Sequence, residues 1–365
     1  MTHACRKAFI LLAATWLVTA CTLSEDYPPV PSSKPAKKAA SPSSKDGTPA
    51  PHGSAKESPA TPSSRDSRKS VASVPRPASS VPSEPVIERI SGYKTPAEYL
   101  VVPSRHHATG AVTVTLPEDY NRQPHKKYPL VIAFGGAGEC QREPREGSLA
   151  WMHYYKTDEA VAALGSNRLT MQDFRGLVVP RELEGLNRRL EAKPYAGVIL
   201  ACPASPLLSR AIGPETPEYE AFIMEDLIPA LKKQYRVAAG GIGVDGVSMC
   251  GTRSMYYGFK YPEIFSSIGS VQGAFGQYLD VYKDLIENNR DMLKDRAIQL
   301  VTSDKDVMAP SVAKMHQLLT SKGIRHRYLV LSGPHDYIFN QGPGSIALLM
   351  FHNEALKTVP GGPVR

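Results

Sequence analysis

No paired cysteine or histidine spacing in this sequence has the form of a zinc site, and no stretch of it calls for a metal or organic cofactor. Cysteine itself is scarce, with five in 365 residues. Clusters of one charge sign are also missing. Lys and Arg outnumber Asp and Glu by 43 to 35, a net charge of +8, but the basic residues are scattered. That pattern speaks for solubility and weak attraction to anionic surfaces and leaves out a nucleic-acid surface. Aromatics all but vanish between Thr22 and Pro85, where Tyr27 stands alone among 13 Pro and 16 Ser in 64 residues. Such a segment cannot bury enough apolar surface to offset its conformational entropy, so it reads as a disordered tether, roughly 45 Å end to end as a coil.

What precedes the tether is a targeting segment. Arg6 and Lys7 form a basic start, and Ala8 to Thr19 is an apolar run too short to span a bilayer comfortably. It ends in Val18-Thr19-Ala20-Cys21, the order of a bacterial lipobox, in which the peptide is cut before a cysteine that becomes lipid-modified. An ordinary secretory signal with a coincidental cysteine is the plainer reading. Small residues before Cys21, at the point where the apolar run stops, favour the lipobox. Thr22 in place of Asp after the cysteine fits outer-membrane sorting. The expected organisation is a signal peptide at 1–20, a lipidated Cys21 and linker at 21–85, and a folded domain at 86–365. The expected location is the bacterial cell envelope, lipid-anchored at the outer membrane, with the domain in the periplasm or at the surface.

With 42% hydrophobic residues a sizeable core is possible. Ala111 to Leu116 alternates β-formers and reads as a strand closed by Pro117. Leu130 to Phe134, Gly197 to Ala201, Gly240 to Val244, Ser267 to Val271, Ile298 to Thr302 and Tyr328 to Leu331 are short apolar runs suited to a mostly parallel buried sheet. Between them the spacing predicts helices over Trp151–Leu164, Glu182–Leu190 and Glu218–Tyr235.

The stretch Gly241 to Phe275 runs strand, sharp turn, helix, with Ser248 at the apex of GVSMCG. A serine hydroxyl is a poor nucleophile unless exposed, paired with a base and faced by backbone donors. A strand-to-helix elbow exposes it and aims the helix N-terminus at developing negative charge. Cys250 stands where GxSxG has its second glycine. Further on, Asp304 and Asp306 follow one strand and His335 follows the next. The chain order Ser, Asp, His, each just past a strand, can converge three groups on one sheet edge. Gly135-Gly136-Ala137-Gly138 after Phe134 is either an oxyanion loop or a flexible turn. The folded region keeps Cys140, Cys202 and Cys250, an odd number, and Cys250 under the elbow helix is expected to stay reduced.

VTVTLPEDYNRQPHKKYPLVIAFGGAG, FIMEDLIPALKKQYR, GVSMCG with YPEIFSSIGSVQGAF, and GPHDY together resemble the enterochelin-esterase-like, or esterase D, branch of the α/β-hydrolases over most of Ala111 to Tyr337. The resemblance implies an α/β-hydrolase fold: a mostly parallel central sheet flanked by helices, here preceded by the tether. It implies Ser248 as nucleophile, His335 as general base, and the N–H groups of Gly136 and Met249 as oxyanion donors. In related hydrolases the acid comes three residues after a small residue ending its strand, and Ser303 with Asp306, then Val307-Met308-Ala309-Pro310, matches that spacing; Asp304 would cap the turn. Phe134 in place of a histidine and Cys250 in place of a glycine depart from the pattern. The activity implied is a membrane-tethered serine ester hydrolase working through an acyl-enzyme, without metal or cofactor. Acyl transfer to a carbohydrate hydroxyl, or a catalytically degenerate tethered binding module, are the alternatives.

The lipobox reading has a direct test. Wild-type protein expressed in a bacterium is expected to fractionate with membranes and to carry a lipid on Cys21 by mass spectrometry, and Cys21→Ala protein to be released. An unlipidated wild-type N-terminus, or a variant still held at the membrane, would overturn it.

Overall fold

The computed structural model describes residues 84–106, 110–207 and 217–357. The expected signal segment 1–20, Cys21 and all but the last two residues of the linker lie outside these. Nine strands form one sheet: β1 (Val86–Ile90), β2 (Ala97–Val101), β3 (Ala111–Thr115), β4 (Tyr128–Phe134), β5 (Ile199–Pro203), β6 (Val237–Gly246), β7 (Ser267–Val271), β8 (Ala297–Lys305) and β9 (Arg327–Pro334). Their spatial order is β1-β2-β3-β5-β4-β6-β7-β8-β9. From β5 to β9 every pairing is parallel. The first three strands add to the β5 edge antiparallel.

The apolar runs seen in the sequence fall on the parallel strands, and in the central ones they are continuous because both faces of the sheet are covered there, whereas the outer strand β9 leaves Val330 exposed. Every residue of β4 is buried, and its side chains alternate between two cores. Leu130, Ile132 and Phe134 join Ile199, Val244, Leu300 and the helix residues Tyr257 and Phe259 on one face. Val131 and Ala133 join Trp151, Leu200, Val301 and Leu348 on the other. Strands β1 and β2 carry no such signal. Val86 to Arg89 are exposed, so VIERI lacks the apolar pattern by which a buried strand is recognised.

The longer helices are α1 (Thr157–Gly165), α2 (Pro180–Ala192), α3 (Ile228–Gln234), α4 (Met249–Lys260), α5 (Leu279–Leu293), α6 (Ala309–Ser321) and α7 (Ser345–Ala355). The helix expected over Trp151–Leu164 is broken. Lys156 takes a left-handed conformation at φ 52°, so the chain turns before α1, and Thr157 Oγ1 donates to Trp151 O at 2.5 Å. The run expected from Glu218 to Tyr235 is helical from Pro217 but widens over Phe222–Leu227, where Ile228 N–H reaches back five residues to Ile223 O. Pro229 follows, without an N–H to donate, and the wider turn accommodates that gap. The last helix, α7, is buried on all sides from Ser345 to Asn353. It therefore has no amphipathic stripe to betray it in the sequence.

Helix α4 lies against β7 closely enough that Gly258 has no room for a side chain. A Cβ built there would stand 2.4 Å from Ile268 Cγ2. Gly258→Val is expected to lower stability by about 1–3 kcal/mol through overpacking, read as a lower urea midpoint with an unchanged m-value. A wild-type midpoint would mean that this seam is not rigid.

Candidate active site

The sheet delivers three side chains to the carboxyl ends of its parallel strands. Strand β6 ends at Gly246, α4 begins at Met249, and Ser248 sits between them at φ 56°, ψ −120°. That backbone is strained for a residue with a Cβ, and strain of this kind persists only where surroundings over-determine it. Ser248 N–H is held by Val271 O at 2.9 Å, and Ala274 N–H donates to Ser248 O at 3.2 Å. Gly246 permits the turn: a Cβ there would meet Cys250 O at 2.4 Å. Cys250, in the place of the second glycine, is not in the left-handed region, so the strain falls on Ser248.

Ser248 Oγ lies 3.0 Å from His335 Nε2. His335 Nδ1 lies 2.7 Å from Asp306 Oδ1. Asp306 is buried and receives two further hydrogen bonds, from Thr302 Oγ1 to Oδ2 at 2.6 Å and from Met308 N–H to Oδ1 at 2.7 Å. A carboxylate so held keeps the Nδ1–H of the imidazole toward itself, which leaves Nε2 as the acceptor facing serine. Asp304 is exposed and accepts from Gly333 N–H at 2.8 Å, tying the ends of β8 and β9 together. The structure thus brings Ser248, Asp306 and His335 together and puts Asp304 elsewhere.

Of the two expected oxyanion donors, Met249 opens α4 directly after the serine, where first-turn N–H groups have no intrahelical acceptor. Gly136 differs. Its N–H donates to Glu139 Oε2 at 3.0 Å and Tyr155 OH at 2.9 Å, so it is engaged inside the protein. Two other side chains at the site gave no sequence signal of their own. Gln272, buried at φ 51°, sends its amide to Ser303 Oγ at 2.8 Å and Pro334 O at 3.0 Å, pinning the strand end that leads into His335. Glu139 is the other: only its place beside the glycine loop could have drawn attention to it.

Cys140, Cys202 and Cys250 are free and buried. Cys140 and Cys250 bring their sulfurs to 3.6 Å, and Arg253 Nη1 is 3.6 Å from Cys250 Sγ. The Cys140 hydrogen bond, with the Arg253 charge, draws the Cys250 thiol down against the opposing effect of burial. The same contact and burial push Cys140 well up.

A second array of the same residue types lies deeper. Ser267 Oγ is 2.7 Å from His352 Nδ1, and His352 Nε2 is 3.2 Å from Asp245 Oδ2. Burial pushes the Asp245 carboxyl up, partly countered by its hydrogen bond with His352. All three residues are buried to within about 1%, so no substrate reaches them. They bind α7 to β6 and β7.

A mostly parallel sheet with helices on both faces, a serine on a strand-to-helix elbow, and an acid and a histidine after the two strands that follow β7 define an α/β-hydrolase. More narrowly, the chain belongs to the Esterase family, whose model matches residues 107–306, over half its length. It is a carboxylic-ester hydrolase. Among solved structures it is similar to a ferulic acid esterase, at 16% identity over 75% of this chain and 98% of that one, with a TM-score of 0.53. It is also similar to an S-formylglutathione hydrolase from Agrobacterium tumefaciens, at 14% identity over 75% and 100% of the two chains, with a TM-score of 0.46. The first likeness shows the fold. No curated protein matches the sequence.

The two aspartates separate by measurement. Asp306→Asn is expected to cut turnover by a factor on the order of 10³–10⁴, as loss of the acid does where it fixes the histidine tautomer, and Asp304→Asn by less than about tenfold, the scale of one exposed hydrogen bond. With both variants folded by circular dichroism, a larger loss at Asp304 would reverse the assignment.

Proposed function

We propose that the domain hydrolyses esters through an acyl-enzyme on Ser248, within the enterochelin-esterase-like branch, and that it works tethered to the bacterial envelope through Cys21. The observation that carries the chemistry is the unbroken relay of Ser248 Oγ, His335 and Asp306 at 3.0 and 2.7 Å. As Oγ attacks the ester carbonyl carbon, His335 Nε2 takes the serine proton, and Asp306 stabilises the imidazolium that forms. The imidazolium then protonates the departing alcohol. Water, deprotonated by the same nitrogen, attacks the acyl-serine and releases the acid. Met249 N–H faces the developing oxyanion from the start of α4.

Two exposed apolar side chains stand close in sequence to the relay residues. Val307, next to Asp306, and Ile338, near His335, are 57% and 51% exposed. An ester with an apolar or aromatic portion would cover them. The tether rests on the lipobox order and the Pro/Ser-rich composition after it.

In the experiment, a fluorophosphonate probe is expected to label the wild-type domain at Ser248 and to leave Ser248→Ala unlabelled, with turnover of p-nitrophenyl esters lost by several orders of magnitude in the variant. Equal labelling or turnover in Ser248→Ala would reject the serine. Product analysis in the presence of a sugar alcohol is expected to give free acid; an acylated sugar as the main product would make the enzyme a transferase.

A further inference from the structure

Glu139 is 4% exposed, and its carboxylate receives hydrogen bonds from three separate parts of the chain. Gly136 N–H and Tyr155 OH donate to Oε2 at 3.0 and 2.5 Å, and Tyr337 OH donates to Oε1 at 2.7 Å. Every one of these partners donates, so the group acts as an acceptor at both oxygens. Taking a carboxylate out of water costs several kcal/mol unless its lone pairs are met, and here hydroxyls and an amide meet them. The two hydroxyls are suited to donating, because burial and the adjoining carboxylate push Tyr155 well up and Tyr337 up to about 12, so both keep their protons.

The partners matter for where they lie. Gly136 belongs to the glycine loop after β4, Tyr155 follows a second wide helical turn, Ala150–Tyr154, before α1, and Tyr337 is two residues beyond His335. Tyr337 otherwise stands at the surface, 42% exposed, with its ring 6.1 Å from that of Tyr154 and 6.0 Å from that of Tyr155. Its hydroxyl reaches Glu139 across Gly138, where even a Cβ would approach it to 3.1 Å. Beyond Tyr337 the loop is held by a cap, Phe339 N–H on Asp336 Oδ1 at 2.9 Å. On the side of β9 it is held by Gln272 on Pro334 O. The Glu139–Tyr337 bond is thus a direct tie between the histidine loop and the glycine loop.

We propose that Glu139 is a positioning residue for the ester hydrolysis. Its carboxylate latches Tyr337 to Gly136 and thereby holds His335 in register with the elbow. The proposal rests on the serine reading above. It concerns the rate of the chemical step and not the affinity for substrate, because neither Glu139 nor the latch hydroxyl need touch the ester. Charge-assisted hydrogen bonds of this type are about twice as strong as neutral ones, so losing one is expected to show as roughly a tenfold change in rate.

The test uses Tyr337→Phe, Glu139→Gln and the double variant of the full chain with a p-nitrophenyl ester. Tyr337→Phe removes one hydroxyl and keeps the ring. Glu139→Gln keeps the size but removes the charge: with its amide oxygen on Gly136 and Tyr155, its N–H2 can only donate to the Tyr337 hydroxyl, so the charge-assisted bond of the latch is replaced by a weaker neutral one. Each is expected to lower kcat about tenfold with KM within twofold of wild type, and the melting temperature of Tyr337→Phe to stay within a few degrees. The double variant is expected to be no slower than the worse single one, the non-additivity of groups acting as a unit. A kcat for Tyr337→Phe within twofold of wild type, an effect carried by KM, or losses that multiply in the double variant would each overturn the latch. Should Glu139→Gln fail to fold, Tyr337→Phe alone decides. Ser248→Ala runs alongside: turnover persisting there would reject the serine reading itself, whereas its loss with unaffected Tyr337→Phe would reject only the latch.

Discussion

A serine at φ 56° is held against its own preference, at a cost of about 1–3 kcal/mol, and the surrounding structure is arranged to keep it there. The parallel pairing of β6 with β4 and β7 ends at this residue: Val247 still bridges to Val271, and the next N–H is spent on the Val271 carbonyl. Beyond it α4 departs at once, and glycines at 246 and 251 let helix and sheet close to within a side chain's thickness, a Cβ on Gly251 meeting Ser270 Oγ at 2.6 Å. The remaining site is fitted to that apex. Strands β8 and β9 extend the same parallel register outward, so the residues following them arrive on the side to which the serine is turned.

The order of strands explains why much of this was legible in the chain. Parallel strands announce themselves as apolar runs, and the runs at Leu130, Gly197, Ser267, Ile298 and Tyr328 each fall on a strand of the sheet, the second of them two residues early for Ile199–Pro203. The positions of Ser248, Asp306 and His335 follow from being just past such runs. The choice between Asp304 and Asp306 turned on two residues of spacing: Asp304 is two residues past Thr302 and accepts from β9, while Asp306 is four past it and turns back to accept the threonine hydroxyl. What escaped the sequence is what has no periodicity. Strand β1 is the outer strand and β2 its neighbour, and their faces are exposed or mixed. Helix α7 is buried all round, and the helix expected over Trp151–Leu164 is broken by the backbone of a single lysine.

Long-range polar contacts were the other blind spot. Glu139 reads as an ordinary acid after a glycine loop, because nothing local states that Tyr337, 198 residues away, will meet it. The Asp245, Ser267 and His352 array shows the converse hazard, since its residue types could be taken for a relay when only burial reveals a structural tie. Cys250 is similar. Its departure from the glycine of the motif looks like a defect of the turn, yet its thiol leaves the turn entirely and joins Cys140 and Arg253 beneath the elbow.

The first strand carries a consequence for how the molecule behaves in company. As the outer member of the sheet among the described residues, β1 has no further described strand on its free side, the geometry that invites another chain to add on. It is five residues long and places Glu88 and Arg89 at its middle. Arg145 grips Glu88 with two bonds, at 2.6 and 2.7 Å, and lays its guanidinium over the ring of Tyr99, the cross-strand partner of Glu88. A short strand that carries charge is a poor template for intermolecular pairing, so this edge works against extension of the sheet from one molecule to the next.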